Sequence, residues 1–333
     1  MPSSSSHSPL ESPALNRAAA SFCAGLPFGL LAFSGPDAQA FLQGQLSNDL
    51  DDLPTGVLQL SSHNSPKGRM LATLLIWRDG PSSFRALVSA DLAETLRKRL
   101  SMYVLRSKVS VLDLSPSHAL FGVGGASAGD AVRAALGTVP ETGHVLTGES
   151  STIVALPDGR IVIAAPSEFA ESERNKLAAA ASETTPEYWR WLGIRAGVPV
   201  IVAATQDHFV LQAANWDLMG GVSFQKGCYT GQEIIARTQY LGRLKERMHL
   251  FHVDGPPPLP GSRLFGAVFG DQACGTVVDA ASAPESGSDL LAVVQMTALD
   301  GPLHVGTPEG PVLAPLALPY SLPSPAAPNR PKL

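Results

Sequence analysis

The run from Phe224 to Glu233, Phe-Gln-Lys-Gly-Cys-Tyr-Thr-Gly-Gln-Glu, places a thiol, an amine, a phenol and a carboxylate within one tight stretch. Downstream, Ile234, Ile235, Thr238 and Leu241 have the spacing of a helix, and Thr230 and Glu233 have the spacing of a capping box at its start. Cys228 would then stand just ahead of free helix N–H groups. Lys226 precedes it and Arg237 lies in the helix, so positive potential favours a thiolate there while burial opposes one. The same residues also describe a small buried cysteine in a tight turn, and both readings stand on sequence alone. Nucleophilic catalysis needs a base within reach. His208, His249 and His252 show no spacing that writes a triad, and no H-x-x-x-H pattern points to a metal hydrolase. Cys23, Cys228 and Cys274 have no C-x-x-C spacing, so neither a disulfide framework nor a metal knuckle is expected. No permanently bound metal is expected, and a reducing, cytoplasmic setting suits the free thiols.

A second polar group is Gln43, Gln45, Asn48 and Asp49, whose amides and carboxylate could bond a heterocycle or simply finish a helix. That helix is predicted from Ala38, Phe41, Leu42 and Leu46 after Gly35-Pro36. The turn Asn64-Ser65-Pro66-Lys67-Gly68 separates a strand over Val57–Ser61 from a long apolar strand over Met70–Trp77. A helix over Asp91–Tyr103, a strand over Val109–Leu114 and a Pro157-Asp158-Gly159 hairpin between Thr152–Leu156 and Arg160–Ala165 follow. Gly122-Val123-Gly124-Gly125 is a weak match to a dinucleotide loop, because no regular βαβ units surround it. Pro186 opens a further helix carrying Tyr188, Trp189 and Leu192.

Strands and helices alternate without a barrel rhythm, which predicts an α+β layer arrangement. Beyond Lys245, Met248–Val253, Arg263–Phe269, Gly275–Val278 and Leu290–Met296 predict a small all-β, barrel-like domain. Pro311–Pro331 reads as a surface-hugging or disordered extension. With 333 residues, 44% of them hydrophobic, the chain has material for two or three domains. The formal charge of -5, from 29 acidic and 24 basic side chains, is too mild to attract nucleic acid as a whole. The basic clusters Arg97–Arg99 and Arg243–Arg247 interleave with apolar residues as solvated faces do. The N-terminus has neither a secretory leader nor a bilayer-spanning run, so no membrane is expected.

Lys226–Glu233, K-G-C-Y-T-G-Q-E, is similar to the signature of the YgfZ family of folate-binding proteins, relatives of the glycine-cleavage T-protein. The resemblance extends to Phe41–Asp49, Pro66–Arg69, Ala196–Pro199 and Gln212–Asn215 ahead of Gly220-Gly221. It implies a three-domain T-protein-like arrangement around a central opening, with a C-terminal β-barrel-like domain. The implied boundaries are a flexible Ser/Pro-rich tail at 1–24, a folate-binding region of two interleaved α+β domains at 25–244, the barrel at 245–318 and a Pro-rich extension at 319–333. It also implies tetrahydrofolate or another reduced folate as ligand, and iron–sulfur enzymes or cluster-assembly proteins as partners of a monomer.

On this resemblance Cys228 and Lys226 carry the chemistry. The folate contacts are expected from Gln45, Asn48, Asp49, Asn64, Lys67, Arg69, Arg195, Gln212, Asn215, Gln232, Glu233 and Arg237. The alternative is a folate-dependent one-carbon or aminomethyl transferase of the T-protein type, and whether the protein is an enzyme is left undecided. Two departures weigh against transfer. Arg69-Met70-Leu71-Ala72 carries no carboxylate where T-proteins have acidic residues, and Arg195 stands where they typically have a glutamate.

Overall fold

The computed structural model describes residues 19–240 and 244–323, so the chain before residue 19, residues 241–243 (with Leu241 of the expected helix and Arg243 of the basic cluster) and the residues after 323 lie outside the description. A first antiparallel sheet has the order β3-β4-β5-β2-β6. Its strands are β2 (Phe28–Ser34), β3 (Leu58–Asn64), β4 (Met70–Gly80), β5 (Ser83–Ser89) and β6 (Ser110–Asp113). Helices α1 (Ala38–Gln45) and α2 (Ala90–Val104) pack against it. Because successive side chains on a strand point to opposite faces, Met70, Ala72, Leu74 and Ile76 of β4 enter one core while Leu75 and Trp77 face another. Burial on both faces explains why β4 reads as a continuous apolar run.

The second sheet has the order β11-β1-β7-β10-β9-β8. It comprises β1 (Ser21–Ala24), β7 (His118–Gly124), β8 (Val145–Thr147), β9 (Thr152–Ala155), β10 (Ile161–Pro166) and β11 (Ser182–Glu183). The tail expected to reach residue 24 is corrected here: Ser21–Ala24 pairs with β7 and β11, and Phe22 and Cys23 are fully buried. Helices α3 (Ala128–Leu136) and α4 (Ala170–Ala180) contribute to the core on one face, and α5 (Pro186–Arg195) sends Trp189 into the core on the other. The glycines of the weak dinucleotide match are there for this packing. A Cβ on Gly122 would lie 2.6 Å from the Trp189 ring, and one on Gly124 would lie 2.5 Å from Leu192.

A third unit is a closed barrel, β12-β15-β14-β13-β16-β17. Its strands are β12 (Glu246–Val253), β13 (Arg263–Gly266), β14 (Ala273–Ser282), β15 (Ser288–Gln295), β16 (Leu303–Val305) and β17 (Val312–Leu316). The stretch expected as an extension from Pro311 therefore begins as a barrel strand. β17 pairs with both β12 and β16, and closure removes the open edges those strands would otherwise present. The chain beyond it returns to the centre, where the Tyr320 hydroxyl donates to the Gly197 carbonyl at 2.9 Å. One apolar core runs from the first sheet through Leu211, Trp216 and Ile235 to Met248, Leu250 and Leu291 of the barrel. No helix among the described residues is long and apolar enough to cross a membrane.

Candidate functional site

The loop that carries Cys228 is pinned on both sides. Ahead of the cysteine, Lys226 is buried, and its ammonium donates to the carbonyls of Gln43 at 2.8 Å, Leu46 at 2.8 Å and Asn48 at 2.7 Å. These carbonyls lie at and just beyond the C-terminal end of α1, where unpaired C=O groups and the helix dipole favour a cation. Burial lowers the Lys226 pKa to about 8, with Asp49 and Asp51 opposing the fall. An ammonium has three N–H donors, and here all three are engaged, so Lys226 acts as a clamp on the loop. Tyr229 is buried beneath it, with the ammonium 5.2 Å from the ring centroid, and burial pushes the phenol up to about 12.

Behind the cysteine, α6 (Gln232–Tyr240) begins one residue later than the capping box requires. Gly231, with φ of +83°, accepts the first bond from Ile235 N–H at 3.4 Å, so Gly231 and not Thr230 stands at the helix entrance. The cause is a close approach. A Cβ on Gly231 would lie 2.5 Å from the Ser65 carbonyl oxygen and 2.9 Å from Gly68 Cα, and Gly68 itself has φ of +70°. The Pro66-Lys67-Gly68 turn is thus pressed backbone to backbone against the start of α6, a contact open only to glycine. Between these two anchors Cys228 is exposed, whereas Cys23 and Cys274 are buried. Burial raises both of those thiols, Cys23 to about 11.

The polar residues singled out in the sequence gather around this loop, with most of their hydrogen-bonding capacity turned inward. Asn48 donates to the carbonyls of Leu60 and Gly220 and accepts from Asp49 N–H. Asp49 accepts from Gln43, the Asn64 side-chain oxygen accepts from Ser62, and Arg69 donates to the His208 carbonyl. Gln212 donates to the Ile235 carbonyl of α6 at 2.8 Å. Asn215, at φ of +60°, donates to Met248 of the barrel at 2.9 Å. Arg195 sits elsewhere, 3.4 Å from Asp289 of the barrel. Lys67, Glu233 and Arg237 are exposed near the thiol loop, and Gln232 is half-buried at the start of α6.

Of the histidines considered as bases, His208 is exposed, His249 is lowered by burial, and His252 bonds Asp289 at 2.8 Å. His63, which no spacing in the sequence marks out, is buried in β3 with Nδ1 3.1 Å from the Gln45 carbonyl. No cluster of metal-ligating side chains is present among the described residues.

Two chambers open between the first sheet, the β9–β10 hairpin and the segment 198–219, and none of the expected folate contacts lines either one. The inner chamber, about 30 Å³, is walled by Leu60, Leu75, Leu87, Trp216 and Met219. The outer, about 450 Å³, is walled by Trp189, Gly193, Ile194, Val202 and Pro260. Phe28, Arg160, Val198 and Val200 border both. Mainly apolar walls, with Ser89, Asp91, Arg160, Arg190 and Asp279 as the polar groups of the outer chamber, suit a heterocycle. The outer chamber is large enough for a pterin ring, so the residues present fit a folate head group.

Arg160 escaped the sequence reading because it looked like the first residue of a strand after a tight turn. It is 4% exposed, and its guanidinium donates to Asp158 from Nε at 2.9 Å and Nη2 at 2.7 Å and to the Trp189 carbonyl from Nη1 at 3.2 Å. The Asp158–Gly159–Arg160 sequence, opposite charges astride a hairpin turn, was the available signal.

No model of a protein family matches the chain. It is 34% identical over 226 residues to the tRNA-modifying protein YgfZ of Photorhabdus laumondii, covering 67% of this chain and 68% of that one. It is 31% identical over 251 residues to the protein of the same name from Serratia proteamaculans, covering 74% and 72%. Among solved structures, the glycine cleavage system aminomethyltransferase T of Bartonella henselae superposes with a TM-score of 0.75 at 17% identity, over 91% of this chain and 87% of that one. At that identity the likeness establishes a shared fold.

Proposed function

Since this chain belongs to the YgfZ family, we propose that it is a cytoplasmic, folate-binding accessory protein that supports assembly or repair of iron–sulfur clusters in enzymes, with the Cys228 thiol as its working group. The observation that carries this reading is the contrast among the thiols: two are buried, and the third is exposed on a loop held by a buried lysine and a glycine–glycine contact. A structural thiol needs no such presentation, whereas a group that meets a partner's cluster, persulfide or cysteine needs both access and a fixed position. A reduced folate, when bound, carries one-carbon groups on N5 of its pterin ring and on N10 of the adjoining aminobenzoyl bridge. Phe28, Trp189 and Arg160 would hold that ring.

The relatives are named for tRNA modification. We infer that this chain reaches tRNA through an iron–sulfur enzyme and does not bind RNA itself. Arg97 and Lys98 of the first basic cluster pair with Glu94, and Arg247 of the second pairs with Asp217.

Aminomethyl transfer is the second reading, favoured by the shared fold. Against it, Leu71 and Ala72 are buried apolar residues, and no carboxylate follows the Gly68 turn to position an amine.

The test is a paired measurement on Cys228→Ser. The variant should melt within about 2 °C of the wild type, since an exposed substitution of equal size changes stability by only about 0.5 kcal/mol. It should bind 5-formyltetrahydrofolate as the wild type does, yet fail to restore iron–sulfur enzyme activity in cells lacking the protein. Full complementation by the stable variant would remove the thiol from the mechanism.

A further inference from the structure

We propose that Arg160 reads the ligand: its free N–H donors take the carbonyl edge of a 4-oxopteridine ring seated in the outer chamber, where a carboxylate would instead have taken the amino edge. This rests on the folate reading above and adds to it which edge is recognised and by what.

Three observations meet at this side chain. A guanidinium carries five N–H donors. Three of Arg160's are engaged by Asp158 and Trp189, which leaves one N–H on each terminal nitrogen without a protein partner among the described residues. Burial of unpaired donors is costly, and Arg160 lines both chambers. Its position is also fixed. The Trp189 ring lies 4.1 Å from the guanidinium carbon, and a Cβ on Gly193 would stand 2.6 Å from Nη1, so helix α5 holds the planar group in one orientation.

The carboxylates that border the outer chamber are already satisfied. Asp279 accepts from Arg190, and Asp91 accepts from Ser89 and from the Ala203 N–H. The strongest free polar function of the chamber is therefore a donor. A glutamyl tail suits Arg160 less well than the ring does. The two cations that border the chamber, Arg160 and Arg190, are already paired with Asp158 and Asp279 and cannot neutralise two further carboxylates, and burying those unpaired would be prohibitive. A neutral ring carbonyl accepts from an N–H with no charge to offset.

The experiment compares 5-formyltetrahydrofolate with its 4-amino-4-deoxy analogue, using quenching of tryptophan fluorescence and calorimetry on the full-length protein. The oxo ligand presents an acceptor to Arg160 and the amino analogue presents a donor. The wild type should therefore prefer the oxo ligand by roughly tenfold or more, as sites built around one hydrogen bond do. Arg160→Lys keeps the charge opposite Asp158 but loses the planar fork, and should bind the oxo ligand about tenfold more weakly with the preference narrowed. Gly193→Ala, which displaces the guanidinium without altering its charge, should act in the same direction. Equal affinity of the wild type for the two ligands would overturn the proposal while leaving folate binding intact, and needs no variant to fold. Undiminished preference in a folded Arg160→Lys protein would overturn it likewise. Absence of binding by the wild type to any reduced folate would overturn the folate reading itself and this proposal with it.

Discussion

His63 shows how a single side chain can govern the acid stability of the region behind the thiol loop. Its Nδ1 faces the Gln45 carbonyl, so that nitrogen carries the proton, and Nε2 is buried without a partner. Protonating Nε2 would place a charge in the core, with Arg99 adding repulsion, and burial accordingly drives the pKa from 6.5 down to about 4. The folded value lies below the unfolded one, so the unfolded chain binds more protons between those pH values. Stability contributed by His63 is therefore complete above pH 6.5 and falls as pH drops toward 4, by up to about 3 kcal/mol. His63→Gln keeps a donor for the Gln45 carbonyl and cannot titrate. Its urea midpoint should change less than that of the wild type between pH 7 and pH 4.5, and parallel curves for the two proteins would assign the acid sensitivity to other groups.

Among the elements, the meeting of the Gly68 turn with the first turn of α6 decides whether Cys228 is presented at all. Any side chain at Gly231 combines a positive φ with a collision against the Ser65 carbonyl. Gly231→Ala should lose about 3 kcal/mol, the sum of a strained backbone and a forced displacement. Gly44 in α1 is the matched control, because a Cβ there meets nothing within 4 Å. Gly44→Ala should gain about 0.5–1 kcal/mol from helix propensity alone. Thermal melts of the two variants check both signs, and reactivity of Cys228 toward a bulky thiol reagent reports whether the loop has moved. A Gly231→Ala protein as stable as the wild type would show that this contact does not hold the loop.

Across the whole molecule, helix α5 fastens the barrel to the second sheet with buried charge. Arg190 donates to Asp279 from Nε at 2.7 Å, while Asp289 accepts from Trp191 at 2.8 Å and stands 3.4 Å from Arg195. Burial pushes the Asp279 carboxyl up and the Arg190 pairing opposes it. Asp279→Ala strands a partly exposed Arg190 beside the outer chamber and should cost about 2 kcal/mol, below the full penalty for breaking a buried pair because water still reaches the arginine. Urea unfolding should show this as a lowered midpoint, or as a separate earlier transition if the barrel detaches first. An unchanged curve would mean that apolar packing alone seats the barrel.

Elements whose signal is local were legible in the amino-acid sequence. Periodicity placed α2 and β4, turn chemistry placed the Pro157-Asp158-Gly159 hairpin, and the Lys226–Glu233 run pointed to the family. Each of these depends on residues close together along the chain, which is what spacing can report. Distance in space was a different matter. Thr230 and Glu233 satisfy a capping rule, yet the helix begins at Gln232 because a turn from Ser65 to Gly68 presses on Gly231. Ser21–Ala24 and Val312–Leu316 became strands because distant edges required partners, in a sheet whose other strands begin near residue 118 and in a barrel that must close. Lys226 looked like an activator of the thiol, and only the fold brought three carbonyls from α1 and its exit to absorb all its donors. The amides of Asn48 and Gln212 suited a ligand equally well until tertiary packing gave them backbone partners. Arg160 was unremarkable in sequence and became a recognition group through Trp189, Gly193 and the two chambers, because a buried donor acquires meaning only from what surrounds it.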